Sequence, residues 1–150
     1  MKPLTVLLIV FGMSVVVLKL TTQKYDFRFA ARIAMSVMLV FTAMGHFMFT
    51  KGMVMMIPDF IPFKTTMVYL TGIIEIVAAI GLLVPAYRVL TAWLLMLFFV
   101  LILPSNIIAA IKHIDIEKGT LNGSGMNYLW FRISLQILLI VWTYLSSISN

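Results

Sequence analysis

The chain contains no cysteine. Thiol–disulfide exchange, iron–sulfur clusters and thiolate metal sites are thereby excluded within it. The same absence excludes the disulfide-generating membrane enzymes, small helical bundles that depend on cysteine pairs. Charge is also scarce. Only 11% of the 150 residues are charged, against roughly 25% in soluble domains. With 63% hydrophobic residues, the composition is that of an integral membrane protein with no room for a sizeable soluble domain. No internal repeat and no low-complexity stretch is visible. The net charge is +6, but the basic residues cluster at the ends of apolar runs. There they set topology and meet anionic headgroups, so the expected partner is the lipid bilayer and not nucleic acid.

Five apolar runs are long enough to cross about 30 Å of hydrocarbon: Leu4–Leu20, Ile33–Phe49, Val68–Val84, Val89–Ala110 and Leu129–Ile148. The first follows Lys2, as a signal peptide would. No small-residue cleavage site precedes Lys19, and Lys24, Arg28 and Arg32 follow closely, so a retained helix is expected. Pro85-Ala86-Tyr87-Arg88 makes a tight hairpin between the third and fourth runs. Thr50–Met67, with Pro58 and Pro62 among methionines, Ile57, Phe60, Ile61 and Phe63, is too apolar for a solvated loop. It is expected to lie in the membrane interface or to fold over the bundle end as a lid, the alternative being a surface-lying linker with no function. Ile111–Asn127 reads as a solvated loop. The basic cluster in the first connection places that side in the cytoplasm, with the N-terminus outside and the C-terminus inside.

Alternation of the spans gives several polar residues a common depth. The second and fourth runs end, and the third and fifth begin, on one membrane side. His46, Glu75, Asn106, Arg132 and Gln136 then all lie roughly 5–11 Å below that surface at the rise of an α-helix. Helical phase puts Thr71, Gly72, Glu75, Ala78, Ala79 and Leu82 on one stripe of the third run, with isoleucines and Val77 opposite. Small residues beside Glu75 allow a neighbouring helix to come close. Thr42, Ala43 and His46 share a face of the second run, Asn106, Ala109 and His113 one of the fourth, and Arg132 and Gln136 one of the fifth. Four inward polar stripes describe a four-helix bundle with a polar pocket near one mouth.

Each polar residue also has a purely structural reading. Glu75 has two: an ion pair with Arg132, or a group that binds or protonates a ligand. A carboxylate at that depth is costly and needs one of them. Asn106 repairs the backbone where Pro104 frees the Val100 carbonyl, or hydrogen-bonds to another helix, or faces the pocket. His46 is a hydrogen-bonded interior histidine or a ligand contact. Tyr128 and Trp130 are interfacial anchors, or one of them stacks on a ring-shaped ligand. The twelve methionines are packing residues, or they line a pocket for varied apolar molecules. The second histidine, His113, lies beyond its span and about 9 Å from His46 in depth, so neither a metal nor a haem site is expected.

Gly45-His46-Phe47, Tyr69-Leu70-Thr71-Gly72-Ile73-Ile74-Glu75, Gly81-Leu82-Leu83 with Pro85, Pro104-Ser105-Asn106 and Tyr128-Leu129-Trp130-Phe131-Arg132 with Gln136 together resemble the DoxX-like membrane proteins. The resemblance runs from about Arg28 to the last span. It implies an all-α membrane bundle: a four-helix core over 28–148, with residues 1–27 as an additional N-terminal span and connection. It also implies a multi-pass protein of the bacterial cytoplasmic membrane. The family name comes from a subunit of a thiosulfate:quinone oxidoreductase, other members belong to oxidative-stress complexes, and a related eukaryotic group assists receptor assembly. No residue here is a redox centre and no catalytic centre is complete.

Three functions stand open. One is a redox-complex subunit that binds a quinone or another amphipathic small molecule through His46, Thr71, Glu75, Asn106, Trp130, Arg132 and Gln136. The second is a scaffold or assembly factor with no ligand chemistry. The third, a small-solute transporter, is disfavoured by the short chain and the absence of an inverted repeat. A membrane or redox partner protein and a homodimer are the expected assemblies.

Overall fold

The computed structural model describes residues 2–149. They fold into seven helices: α1 (Lys2–Thr22), α2 (Phe27–Met48), α3 (Thr50–Met56), α4 (Lys64–Leu83), α5 (Arg88–Leu101), α6 (Leu103–Ile111) and α7 (Gly125–Ser147). Five helical stretches are long and apolar enough to cross a membrane, with α5 and α6 together making one of them. Helices satisfy their backbone polar groups internally, which hydrocarbon demands of any lipid-exposed span.

Helix α2 starts six residues before the apolar run that announces it. Asp26 caps it, accepting from the Phe29 N–H at 2.9 Å, and the basic turn that follows is helical despite its charge. The fourth span is broken. Ile102 ends α5 and leads into α6, with Pro104 in the first turn of α6. Proline removes one rung of the helical ladder, and the interruption falls two residues before it.

Helix α2 packs chiefly on α4 and α1, while α7 packs on α5, α6 and α2. The core joins Met35, Met38 and Leu39 of α2 to Ala78, Ala79 and Leu82 of α4, Leu95 and Phe99 of α5, and Leu139 of α7. Alanines and glycines let α2 and α4 approach closely. The Ser36 hydroxyl donates to the Ala79 carbonyl at 2.8 Å, and a Cβ on Gly72 would come within 3.0 Å of the His46 Cβ. The outward residues of α4, among them Ile73, Val77 and Ile80, are exposed and form an apolar lipid-facing surface.

Helix α1 is more than an appended span. Leu7 is fully buried in the same core, and Phe11 sets its ring edge-on to Trp142 of α7 at 5.1 Å. Trp142 in turn donates to the Ala31 carbonyl of α2. The N-terminus of α1 lies at the end of the bundle that carries the 112–124 connection, where Lys2 pairs with Glu117 at 2.6 Å.

The two connections at that end are ordered against each other. The 112–124 segment is only partly the solvated loop its polarity suggests. Asp115 bridges to Thr120, and its carboxylate accepts from the Glu117 and Lys118 N–H groups. Ile114 is buried against Met56 and Ala109. Gly52 of α3 faces the Ile116 carbonyl so closely that an added Cβ would stand 2.1 Å from it. His113 departs from the stripe assigned to it: α6 ends at Ile111, and His113 takes a left-handed φ of 49°.

Candidate functional site

A cavity of about 620 Å³ opens between α2, α4, α5, α6 and α7, under α3 and the turn that follows it. Its size falls in the range of small-molecule sites, roughly 300–1,000 Å³. Six of the seven residues chosen from the sequence line it: His46, Thr71, Glu75, Asn106, Arg132 and Gln136. The shared depth deduced from alternation is therefore a shared chamber. Most of the remaining wall is apolar, including Met38, Phe41, Phe98, Phe99, Leu135 and Leu139.

Trp130 is the exception. It is 69% exposed and lies on the outer face of α7, away from the cavity. Position 130 is two residues from Arg132, about 200° around the helix, which turns it to the outer face as an interfacial anchor would be. Tyr128, four residues before Arg132, enters the site in its place. Its hydroxyl accepts from Arg132 Nη2 at 3.1 Å, and its ring lies 4.8 Å from the guanidinium carbon. The i, i+4 spacing was the available signal for that contact.

The Glu75–Arg132 ion pair, one of the two readings of Glu75, does not form among the described residues. Arg132 instead donates through Nη1 to the Asn106 Oδ1, tying α7 to α6. Glu75 pairs with His46, whose Nε2 stands 3.5 Å from Glu75 Oε1. The two acidic and basic groups belong to different walls of the cavity, which a one-dimensional depth estimate does not distinguish.

Hydrogen-bond chemistry fixes several orientations. His46 Nδ1 lies 3.1 Å from the Val68 carbonyl, which can only accept, so Nδ1 carries a hydrogen. The Thr71 hydroxyl donates to the same carbonyl at 2.8 Å and sits 3.0 Å from Nδ1. Nε2 is then left facing Glu75 Oε1. Gln136 Nε2 donates to the Phe99 carbonyl at 3.1 Å, close to the break between α5 and α6. That bond requires the amide nitrogen to face Phe99, so Gln136 Oε1 points the other way. Asn106 likewise gives its oxygen to Arg132. Of the two structural readings of Asn106, the structure shows the bond between helices and not the local repair, and it is Gln136 that serves the backbone near the break.

Two buried acceptor atoms of the site, Glu75 Oε2 and Gln136 Oε1, have no partner among the described residues. Their residues are 6% and 8% exposed. Among the described residues no group of three metal-ligating side chains exists.

The apolar connection forms a lid, one of the two roles expected for it. Phe49, Met53, Met56, Ile57 and Ile61 all face the cavity, so at least part of the methionine-rich segment is wall. Asp59 anchors the lid turn, bonding Lys64 of α4 at 2.6 Å and lying 3.6 Å from Lys112 at the end of α6. The hydrogen bond from Lys64, followed by the charge of Lys112, holds its carboxyl below the usual carboxylate range.

A family model described as a domain of unknown function, DUF8561, matches residues 35–147. The chain belongs to that family. The matched region holds most of α2 and all later helices, and leaves out α1. No curated protein and no solved structure matches the chain.

Proposed function

We propose that this DUF8561 protein is a DoxX-like subunit of a membrane redox complex that holds a quinone-class amphipathic molecule in the cavity beneath the lid. Its setting in this reading is the bacterial cytoplasmic membrane, beside a redox partner protein that supplies the electron chemistry this chain lacks. The observation that carries the reading is the cavity itself. It is an apolar chamber of ligand size with His46, Glu75, Asn106, Arg132 and Gln136 converging on it from four helices. An apolar wall suits a ring and the start of an isoprenoid tail. The Asn106 amide nitrogen, Arg132 and the His46–Glu75 pair suit oxygen substituents on the ring.

Direct binding tests it. Purified protein in nanodiscs is titrated with a decyl-tailed ubiquinone analogue and a menaquinone analogue, each in oxidised and reduced form. Saturable binding that His46→Ala and Glu75→Leu weaken by about tenfold is expected. Equal affinity in the wild type and both variants removes the site assignment.

A second reading is favoured by the interhelical bonds. Ser36–Ala79, His46–Val68, Arg132–Asn106 and Gln136–Phe99 each join two different helices. On this reading the polar band only locks a scaffold together. Its variants then lose stability and abundance, and no ligand is found.

A further inference from the structure

The unpartnered atoms in the cavity specify which face of hydrogen-bond chemistry its occupant must present. A quinone offers only carbonyl oxygens, which accept. A hydroquinone offers two hydroxyl groups, which donate as well as accept. Glu75 Oε2 and Gln136 Oε1 are acceptors, and both are buried. No donor among the described residues reaches either atom. The Gln136 nitrogen is committed to the Phe99 carbonyl, Arg132 is engaged by Asn106 and Tyr128, and the imidazole is engaged by Val68 and the other oxygen of Glu75.

A buried acceptor that stays unpaired against a bound molecule carries the full cost of its desolvation. Carbonyl oxygens brought against these two atoms would leave all of them unpaired and set like partial charges against one another. Hydroxyl groups would satisfy both. An anionic headgroup fails for the same reason, although Arg132 lines the same cavity, because two bare oxygens line the wall with it.

Resting on the reading of the cavity as a quinone-class site, we infer that it is selective for the reduced, dihydroxy form of its ligand over the oxidised, dicarbonyl form. Glu75 and Gln136 are the residues that discriminate, each accepting from a ligand hydroxyl. The claim concerns binding alone and requires no electron transfer within this chain.

Three ligands that share one ring and one decyl tail test this on the intact protein in anaerobic nanodiscs: the quinone, the hydroquinone, and the hydroquinone dimethyl ether, which keeps the oxygens and loses both donors. The hydroquinone is expected to bind at least about tenfold more tightly than either of the others, the effect of unpaired buried acceptors on discrimination. Gln136→Met removes one acceptor and should reduce that ratio, and Gln136→Glu should retain it. The wild-type comparison does not depend on how well either variant folds. If the quinone or the ether binds as tightly as the hydroquinone, the selectivity is overturned while the quinone-class site survives. If none of the three binds, the site reading itself falls and the selectivity with it.

Discussion

The Arg132 guanidinium donates to the Asn106 side-chain oxygen and rests over the Tyr128 ring, leaving Glu75 to His46. The four groups form two separate pairs on different walls of one cavity. Asn106 and Arg132 tie α6 to α7, and His46 and Glu75 tie α2 to α4. Each pair makes its own prediction.

Removing Asn106 alone leaves a partly buried guanidinium short of an acceptor. Asn106→Leu should lower stability by about 1 kcal/mol or more, at the upper end of what side-chain hydrogen bonds contribute within membranes. The double variant Asn106→Leu with Arg132→Met should recover part of that loss, because neither polar group is then orphaned. Unfolding in detergent, monitored by tryptophan fluorescence, measures both. A double variant as unstable as the sum of the two singles would mean that the pair is not coupled.

The His46–Glu75 pair separates ligand binding from scaffolding. Glu75→Leu alone leaves His46 Nε2 facing an apolar group, and should destabilise by about 1–3 kcal/mol. His46→Leu with Glu75→Leu should restore much of the stability and still bind no quinone-class ligand. Recovery of both properties together would show that the pair only holds α2 to α4 and does not contact the ligand.

Gly52 sets how tightly the lid closes. Alanine there would place a Cβ against the Ile116 backbone, and backbone cannot rotate aside as a flexible side chain can. Gly52→Ala should push α3 away from the 112–124 connection and expose the cavity. The chain has no cysteine, so Met53→Cys provides a single thiol in the lid wall. Its labelling by a water-soluble maleimide should speed up several-fold in the Gly52→Ala background. An unchanged rate would show that the lid does not depend on this contact.

Acid should loosen the same lid. The Asp59 carboxyl is held below its ordinary range by Lys64 and then Lys112. A carboxyl lowered on folding stabilises above its unfolded value, and that contribution is lost as pH falls through the lowered one. Asp59 is exposed, so the effect on global stability is small. The Met53→Cys labelling rate, corrected for thiolate fraction, should rise as pH is taken below the normal carboxylate range. Asp59→Asn should show the raised rate at neutral pH already, with no further acid response.

Topology is testable with the same cysteine-free background. Lys118→Cys should react with an impermeant maleimide from outside intact cells, and Lys24→Cys only after permeabilisation. Reaction of both from one side would contradict the alternation on which the shared depth rests.

Much of this arrangement is legible in the chain itself. Five spans, the tight hairpin at Pro85, the interruption near Pro104 and the lid at Pro58 and Pro62 follow from runs of apolar residues and the punctuation between them. Six of the seven site residues read from the sequence line the cavity, because helical rise gives them a common depth and phase gives each helix one polar stripe. Trp130, which faces outward, and Tyr128, which lines the cavity, differ by two positions on one helix. Their assignment turned on which of two aromatics faces inward.

Sequence alone determined depth, number of spans and polar stripes, since these depend on covalent spacing along regular helices. Only the tertiary structure decided who pairs with whom. Glu75 meets His46 and not Arg132 because α4 packs on α2 while α7 packs on α6. It also decided which atoms remain free. Gln136 shows an oxygen to the cavity because its nitrogen is drawn to the Phe99 carbonyl. Rotation of one helix about its axis relative to another is set by side-chain interlocking between them, and no periodicity within a single helix carries that information.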